Sequence, residues 1–235
     1  MKVLLIRPPR RNVYDMGLSV PPLGLAYIAS ALQNKGHDVQ ILDAYSLRWS
    51  WRRFEKYMEQ VSVDMIGFTV MTPILDTVVR ACKIVKKYCG TLVVGGPHPT
   101  AVKHGVFDDI PTIDYAVVGE GESVVCELVD YVEGAIDEVP AGVLARDRNF
   151  ISATPPDVHL IAKPARHLLP HRKYHYLFAT KPGFATMISS RGCPFRCSFC
   201  DKSVGGSRWR ARMAVDVVDE MEDLQNNGVG FINFY

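Results

Sequence analysis

Short runs of valine, isoleucine and leucine alternate with longer amphipathic stretches through the first 135 residues. The strand-like runs are Val3–Ile6, Val39–Leu42, Met65–Thr69, Leu92–Val94 and Tyr115–Val118. They are short and nearly continuous in apolar character, the pattern of parallel strands covered on both faces. Helical spacing falls near residues 23–35, 50–60, 74–88 and 121–132, with one or two further turns in 98–110. The alternation predicts an α/β fold, a Rossmann-like doubly wound parallel sheet of five strands. Asn34-Lys35-Gly36 closes the first helix with a glycine at its exit. The proline pairs 8–9 and 21–22 bracket a loop after the first strand.

Beyond residue 135 the pattern changes. Gly142–Ala145 and Asn149–Ala153 flank Arg146-Asp147-Arg148 as the arms of a small hairpin would. Residues 157–182 hold Pro164, Pro170 and Pro182, and read as an irregular linker. A second α/β pattern then begins. Phe184–Ser189 is strand-like, residues 214–227 are helical, and Val229–Tyr235 is a second strand. In that helix Ala214, Val217, Val218, Met221 and Leu224 form the apolar stripe, against Asp216, Asp219, Glu220, Glu222 and Asp223. The expected units are residues 1–135, a hairpin and linker over 136–182, and a second unit over 183–235.

Composition adds little to this and charge adds more. With 48% hydrophobic and 22% charged residues among 235, the chain has the make-up of a globular protein rather than a disordered one. No run of 18 apolar residues appears, so no spanning helix is expected. The apolar run at the N-terminus is four residues long and stops at Arg7, which suits a strand better than a signal peptide. A cytoplasmic location is expected. Residues 163–212 carry 11 basic side chains and one acidic. Such a segment suits an anionic partner, or is simply a solvated linker and loop. Residues 157–182 also hold His159, His167, His171 and His175. They are a candidate metal cluster that the intervening prolines argue against.

Ligands of open α/β sheets settle beyond the carboxyl ends of the strands. The loops there are Pro8–Gly24, Thr69–Pro73, Gly95–Thr100 and Gly119–Glu122. Their glycines let backbone approach a ligand, and Thr69 and Thr72 offer hydroxyls; turn chemistry alone also explains such residues. Neither G-x-G-x-x-G after the first strand nor G-x-x-x-x-G-K-[ST] is present, so NAD or ATP held in the usual way is not expected.

The sharpest signal is Arg191-Gly192-Cys193-Pro194-Phe195-Arg196-Cys197-Ser198-Phe199-Cys200. Three thiolates within eight residues can reach one soft metal centre. A structural zinc site asks for four protein ligands, which His175 could complete. A [4Fe–4S] cluster on three cysteines leaves one iron open to a small molecule. Cys82, Cys89 and Cys126 fall in helical patterns and read as buried thiols.

Cys193, Cys197 and Cys200, with Phe199 before the last, resemble the radical S-adenosylmethionine (SAM) signature. Pro21-Pro22-Leu23-Gly24-Leu25-Ala26-Tyr27-Ile28-Ala29, Gly36-His37-Asp38-Val39, Gly95-Gly96-Pro97-His98-Pro99-Thr100 and Gly119-Glu120-Gly121-Glu122 resemble the cobalamin-binding domain of cobalamin-dependent radical SAM enzymes. Arg208-Trp209-Arg210-Ala211-Arg212 and Phe231–Tyr235 continue that resemblance.

The resemblance implies a cobalamin-binding sheet followed by the start of a radical SAM partial TIM barrel. It implies a [4Fe–4S] cluster on the three cysteines, whose electron cleaves bound SAM to a 5′-deoxyadenosyl radical, with Phe199 near the adenine. It places cobalamin against Pro22, Gly24, Thr69, Met71, Thr72, Gly95, Gly96, Pro97, His98, Gly119, Glu120, Gly121 and Glu122. No histidine lies in residues 7–17, so the lower-axial ligand of D-x-H-x-x-G cobalamin carriers is missing. His98 is left to a tail contact or a structural role. The implied reaction is methyl transfer, or oxidative cyclisation of the kind used in bacteriochlorophyll synthesis. The implied partners are a small-molecule substrate and an electron donor such as flavodoxin or ferredoxin.

Two barrel strands stand where the family has about six. The chain is therefore expected to be a fragment or a truncated gene product. A cobalamin- or cluster-binding protein without catalysis is one alternative. An RNA-modifying relative is another, although no RNA-binding domain is recognisable and nucleic acid is not the expected partner.

Overall fold

The computed structural model describes residues 1–10 and 19–235; the middle of the Pro8–Gly24 loop, residues 11–18, lies outside the described residues. The elements run β1 (Lys2–Arg7), α1 (Leu23–Asn34), β2 (Asp38–Asp43), α2 (Trp51–Met58), β3 (Val63–Thr69), α3 (Leu75–Val85), β4 (Cys89–Gly95), α4 (Pro97–Val102), α5 (Val106–Asp109), β5 (Tyr115–Val117) and α6 (Glu122–Val132). After them come β6 (Val143–Leu144), β7 (Phe184–Met187), β8 (Ser190–Arg191), β9 (Arg210–Ala211), α7 (Ala214–Asn226) and β10 (Phe231–Phe234).

The five expected strands form one parallel sheet in the order β2-β1-β3-β4-β5. Both side-chain parities are buried, as the apolar runs demanded. Leu4, Ile6, Ile66, Phe68, Leu92 and Val94 meet α2, α3 and α5 through Phe54, Met58, Val78, Val85 and Phe107. Val3, Leu5, Met65, Val93 and Val117 meet α1 and α6 through Leu25, Leu32, Val124 and Leu128. Each such side chain stabilises the fold by roughly 1.5–3 kcal/mol when fully buried. Ser50 caps α2, its hydroxyl accepting from the Arg53 amide at 3.2 Å.

The expected hairpin does not form as such. Its first arm becomes β6 and pairs antiparallel with β5, Val117 opposite Val143. Among the described residues a single backbone bond, Gly142 N–H to the Ile151 carbonyl at 2.7 Å, joins the arms. Burying Val143 and Leu144 on the sheet edge outweighs pairing with the more exposed 149–153 segment.

The linker is irregular, as expected, and fastened along its length. Ala165 N–H donates to the Ala26 carbonyl at 2.9 Å, and Ser19 and His175 exchange backbone hydrogen bonds of 3.0 Å. Tyr174 donates its hydroxyl to fully buried Asp43 at 2.9 Å. Burial, followed by the Asp43 charge, pushes the Tyr174 phenol well above its usual range.

In the second unit β7 and β10 pair in parallel, Phe184 opposite Phe231, and β8 and β9 close the stem of the cysteine loop. One expectation about α7 is overturned. Glu220, assigned to the polar face, is buried, whereas Val218 and Met221 from the apolar stripe are exposed. The reason is ionic: Glu220 accepts from Arg166 and Arg212, each at 2.7 Å. No described helix is long and apolar enough to cross a membrane.

Candidate functional site

An open cleft of about 400 Å3 lies at the carboxyl ends of the central strands. With β1 flanked by β2 and β3, this is where the strand order reverses, the usual ligand position in such sheets. Its floor is apolar, from Leu5, Met65, Val93 and Val117 on the face covered by α1 and α6. Its rim comes from the loops singled out in the sequence: Gly24, Thr69, Gly95, Gly96, Pro97, Gly119, Glu120, Gly121 and Glu122 all line it.

Two glycines have distinct reasons to be glycine. Gly96 turns the chain out of β4 at φ +103°, and a Cβ there would lie 2.8 Å from Thr69 Oγ1. Gly24 sits exposed in the first turn of α1, and a Cβ there would meet nothing within 4 Å. Packing within the protein does not call for glycine at position 24, on a rim that a broad ligand would cover.

Other expected contacts lie apart. Pro22, Met71 and Thr72 do not line the cleft. Met71 and Thr72 are exposed, and Thr72 Oγ1 is 3.0 Å from His98 Nδ1. His98 is buried, with Nε2 3.0 Å from Asp109 Oδ2, and so ties the β3–α3 loop to α5. Its ring is occupied on both nitrogens by protein groups, which is the structural role among the two expected for it.

The cysteine loop departs from the stem formed by β8 and β9. Gly192 at φ +78° starts it, and a Cβ there would collide with the Arg208 carbonyl oxygen. Cys193 is half-buried and donates its amide to the Gly206 carbonyl at 3.2 Å; Cys197 and Cys200 are exposed. The three thiols are not gathered into a ligand set, and no such set of three His, Cys, Asp or Glu side chains occurs among the described residues. That covers the four linker histidines as well. Phe199 is 90% exposed and outside the cleft. Cys82 and Cys126 are buried and Cys89 half-buried. Burial pushes the Cys89 and Cys126 thiols up to about 11, and Cys82 further still.

Cleft and cysteine loop are joined by charge. Arg191 donates Nη1 to Glu120 Oε2 at 2.8 Å and Nη2 to Glu122 Oε1 at 2.6 Å. Arg210, from the other side of the stem, pairs with Glu120 and donates to the Pro156 carbonyl at 2.9 Å. Burial works against the Arg191 cation, but Glu122 and Glu120 outweigh it and raise its pKa. The Arg191 guanidinium lies 5.1 Å over the ring of Tyr27, whose phenol burial pushes up, with the Glu220 charge adding to it.

Arg191, Ser190, Gly192, Val204 and Gly205 also line the cleft, so its far wall belongs to the second unit. Sequence reasoning missed that wall, the Tyr27 contact and the apolar floor. The floor had a readable signal, the period-two set Val3, Leu5 facing α1; the wall had none. The basic run 163–212 is partly neutralised at home. Arg166, Arg191, Arg210 and Arg212 pair with glutamates, and Lys163 with Asp223.

The chemistry of the donor sets fits the groups the sequence implied. Three soft thiols share one short loop suited to iron, and the apolar, glycine-rimmed cleft suits a broad planar ligand.

Comparison with known proteins agrees. The chain matches the family described as B12 binding domain over residues 12–129. It is 33% identical over 235 residues to an uncharacterized methyltransferase of Pyrococcus horikoshii, covering 95% of this chain and 50% of that protein. It is 32% identical over 259 residues to the anaerobic magnesium-protoporphyrin IX monomethyl ester cyclase of Rubrivivax gelatinosus, covering 98% and 44%.

Among solved structures, the radical SAM methyltransferase TsrM of Kitasatospora setae, with cobalamin and a [4Fe–4S] cluster bound, superposes with a TM-score of 0.75 at 22% identity. That match covers 100% of this chain and 47% of the other. The cobalamin-dependent SAM radical enzyme OxsB gives 0.74 at 19% identity, covering 97% and 32%. The chain thus spans about half the length, or less, of these relatives. The resemblance and the fold class drawn from the sequence are borne out.

Proposed function

Because the chain belongs to the B12-binding domain family, we propose that it is the N-terminal portion of a cobalamin-dependent radical SAM enzyme. In this reading residues 1–135 hold cobalamin, 136–182 fasten the two units, and 183–235 begin the radical SAM unit. One observation carries the reading: the glycine-rimmed cleft of the first unit is walled by the stem of the three-cysteine loop, through Arg191.

Cys193, Cys197 and Cys200 are assigned to the iron of a [4Fe–4S] cluster, and Gly24, Thr69, Gly95, Gly96, Pro97 and Gly119–Glu122 to cobalamin. When bound, these groups and SAM would supply an electron, a 5′-deoxyadenosyl radical and a transferable methyl group. The protein's part is geometry. The floor formed by Leu5, Met65 and Val93 offers the cleft's contents an apolar surface, and Gly96 brings backbone close to them. Arg191 offsets negative charge beside the loop. No side chain on the described rim offers an imidazole to the cleft, since His98 is engaged by Thr72 and Asp109. Cobalamin bound there would be held by the glycine rim and the apolar floor, without an imidazole from the described rim. Methyl transfer or oxidative cyclisation of a small molecule, with an external electron donor, is the activity proposed for the whole protein.

Anaerobic reconstitution with iron and sulfide tests the assignment. Cys193→Ala, Cys197→Ala and Cys200→Ala are expected to lose most bound iron, whereas Cys82→Ala, Cys89→Ala and Cys126→Ala retain it. Full iron content in Cys197→Ala would refute the cluster loop. A second reading, a cobalamin-binding module without catalysis, is favoured by the family match, which covers residues 12–129 and none of the cysteine loop. Absence of 5′-deoxyadenosine from the whole protein with its cluster loaded would decide for it.

A further inference from the structure

The four-member cluster of Glu120, Glu122, Arg191 and Arg210 stands between two sites that the proposed reading assigns to different cofactors. Glu120 and Glu122 follow β5 and line the cleft. Arg191 closes β8, two residues before Cys193, and Arg210 opens β9 on the return of the same loop. The two strands that pin the loop's ends are therefore both clamped to the cleft rim, and to the same carboxylate, Glu120.

Side-chain exposure is 4% for Glu120, 11% for Glu122, 13% for Arg191 and 15% for Arg210. Water screens such a cluster poorly, and losing one member leaves its partners' charge uncompensated. The cluster is also incomplete in one respect. Glu122 Oε2 is buried and has no hydrogen-bond partner. A carboxylate with one oxygen engaged and the other orphaned gains a hydrogen bond from any donor brought within reach, and its hold on Arg191 changes when it does. Gly192, at φ +78° and with no room for a Cβ beside the Arg208 carbonyl, joins Arg191 to Cys193 through one tightly packed turn.

We propose that Glu120 and Glu122 are positioning residues that couple occupancy of the cleft to the placement of Cys193. A ligand in the cleft orders the Glu120–Arg191–Arg210 clamp, and the clamp fixes the stem from which the cysteine loop departs. Coupling of this kind is reciprocal: a stem fixed by a metal centre must raise affinity in the cleft by the same factor. The proposal rests on the cobalamin reading of the cleft, and its test separates the two.

Hydroxocobalamin is titrated into the whole 235-residue chain, wild type and Glu120→Gln, and followed by its visible spectrum. Amide exchange is measured across residues 189–193 and 208–212 in the same samples. In the wild type, saturation is expected to slow exchange in both segments at least fivefold. In Glu120→Gln, exchange there starts about tenfold faster and hydroxocobalamin, at concentrations that its visible spectrum shows to saturate the variant, no longer slows it, while exchange in β1, β3 and β4 stays within twofold of wild type. With the metal centre reconstituted, wild-type affinity for hydroxocobalamin rises and that of Glu120→Gln does not. A merely structural glutamate would loosen the stem without removing this ligand response. Glu122→Gln, which loses a single contact to Arg191, serves as the second variant should Glu120→Gln fail to fold.

Binding of hydroxocobalamin with equal slowing of both segments in wild type and variants would overturn the coupling while leaving the cobalamin reading intact. No spectral change in either protein would overturn the cobalamin reading, and with it the ligand side of the coupling.

Discussion

Glycine at position 24 weakens the first turn of α1 by up to about 1 kcal/mol relative to alanine. No neighbouring protein atom accounts for it. The free chain should therefore gain stability from Gly24→Ala, read as a higher urea midpoint, while Gly24→Trp should weaken hydroxocobalamin binding at least tenfold without unfolding the sheet. Unchanged affinity in Gly24→Trp would remove this rim position from the ligand's footprint. A different residue-scale effect belongs to Cys126, whose thiol burial raises from 9.0 to about 11. The folded chain keeps this proton more tightly than the unfolded one. The resulting stabilisation is whole below pH 9 and is lost as pH rises from 9 to 11. Cys126→Ala should lose stability less steeply across that window than wild type, as denaturant midpoints measured at intervals between pH 8 and 11 would show.

Among the elements, α7 shows how much a local pattern can hide. Its length and period were legible from Ala214 to Leu224, yet its buried face was not. Glu220 is interior only because Arg166 comes from the linker and Arg212 from the residue after β9. No window over the helix contains both. Glu220→Ala should cost about 3 kcal/mol by stranding two cations, seen as early unfolding of residues 184–234 in amide exchange. A loss below about 1 kcal/mol would show that water screens the triad. The five parallel strands were legible because burial on two faces leaves an apolar run that needs no partner to be recognised. β6 was not, since two residues carry no periodicity and its pairing with β5 is a tertiary choice. The site divides the same way. The glycine rim and the three cysteines stand in the sequence, each within a few consecutive residues. The wall that Arg191 and Gly205 contribute depends on how two units meet, which no spacing records.

At the scale of the whole molecule, the linker is stitched to the first unit at Ala26, Ser19 and Asp43. Its Leu169 and Tyr174 also pack against Ala26 on one side and Phe184 on the other. That stitching governs where the chain can be recombined. A chimera that exchanges the front half of this protein for that of a relative at residue 135 would strip Asp43 of its tyrosine and expose Ala26. It would also hand the donor a foreign strap. A crossover placed after Ala179 carries the strap with the sheet it grips and severs instead the stacking of Tyr176 on Phe184 and Phe231, the Arg166–Glu220 pair and the pairing of Glu120 and Glu122 with the cysteine-loop stem. Shuffled libraries should accordingly keep the first unit folded more often at the later junction than at the earlier one. The piece expected to transfer as a unit is the sheet together with its strap.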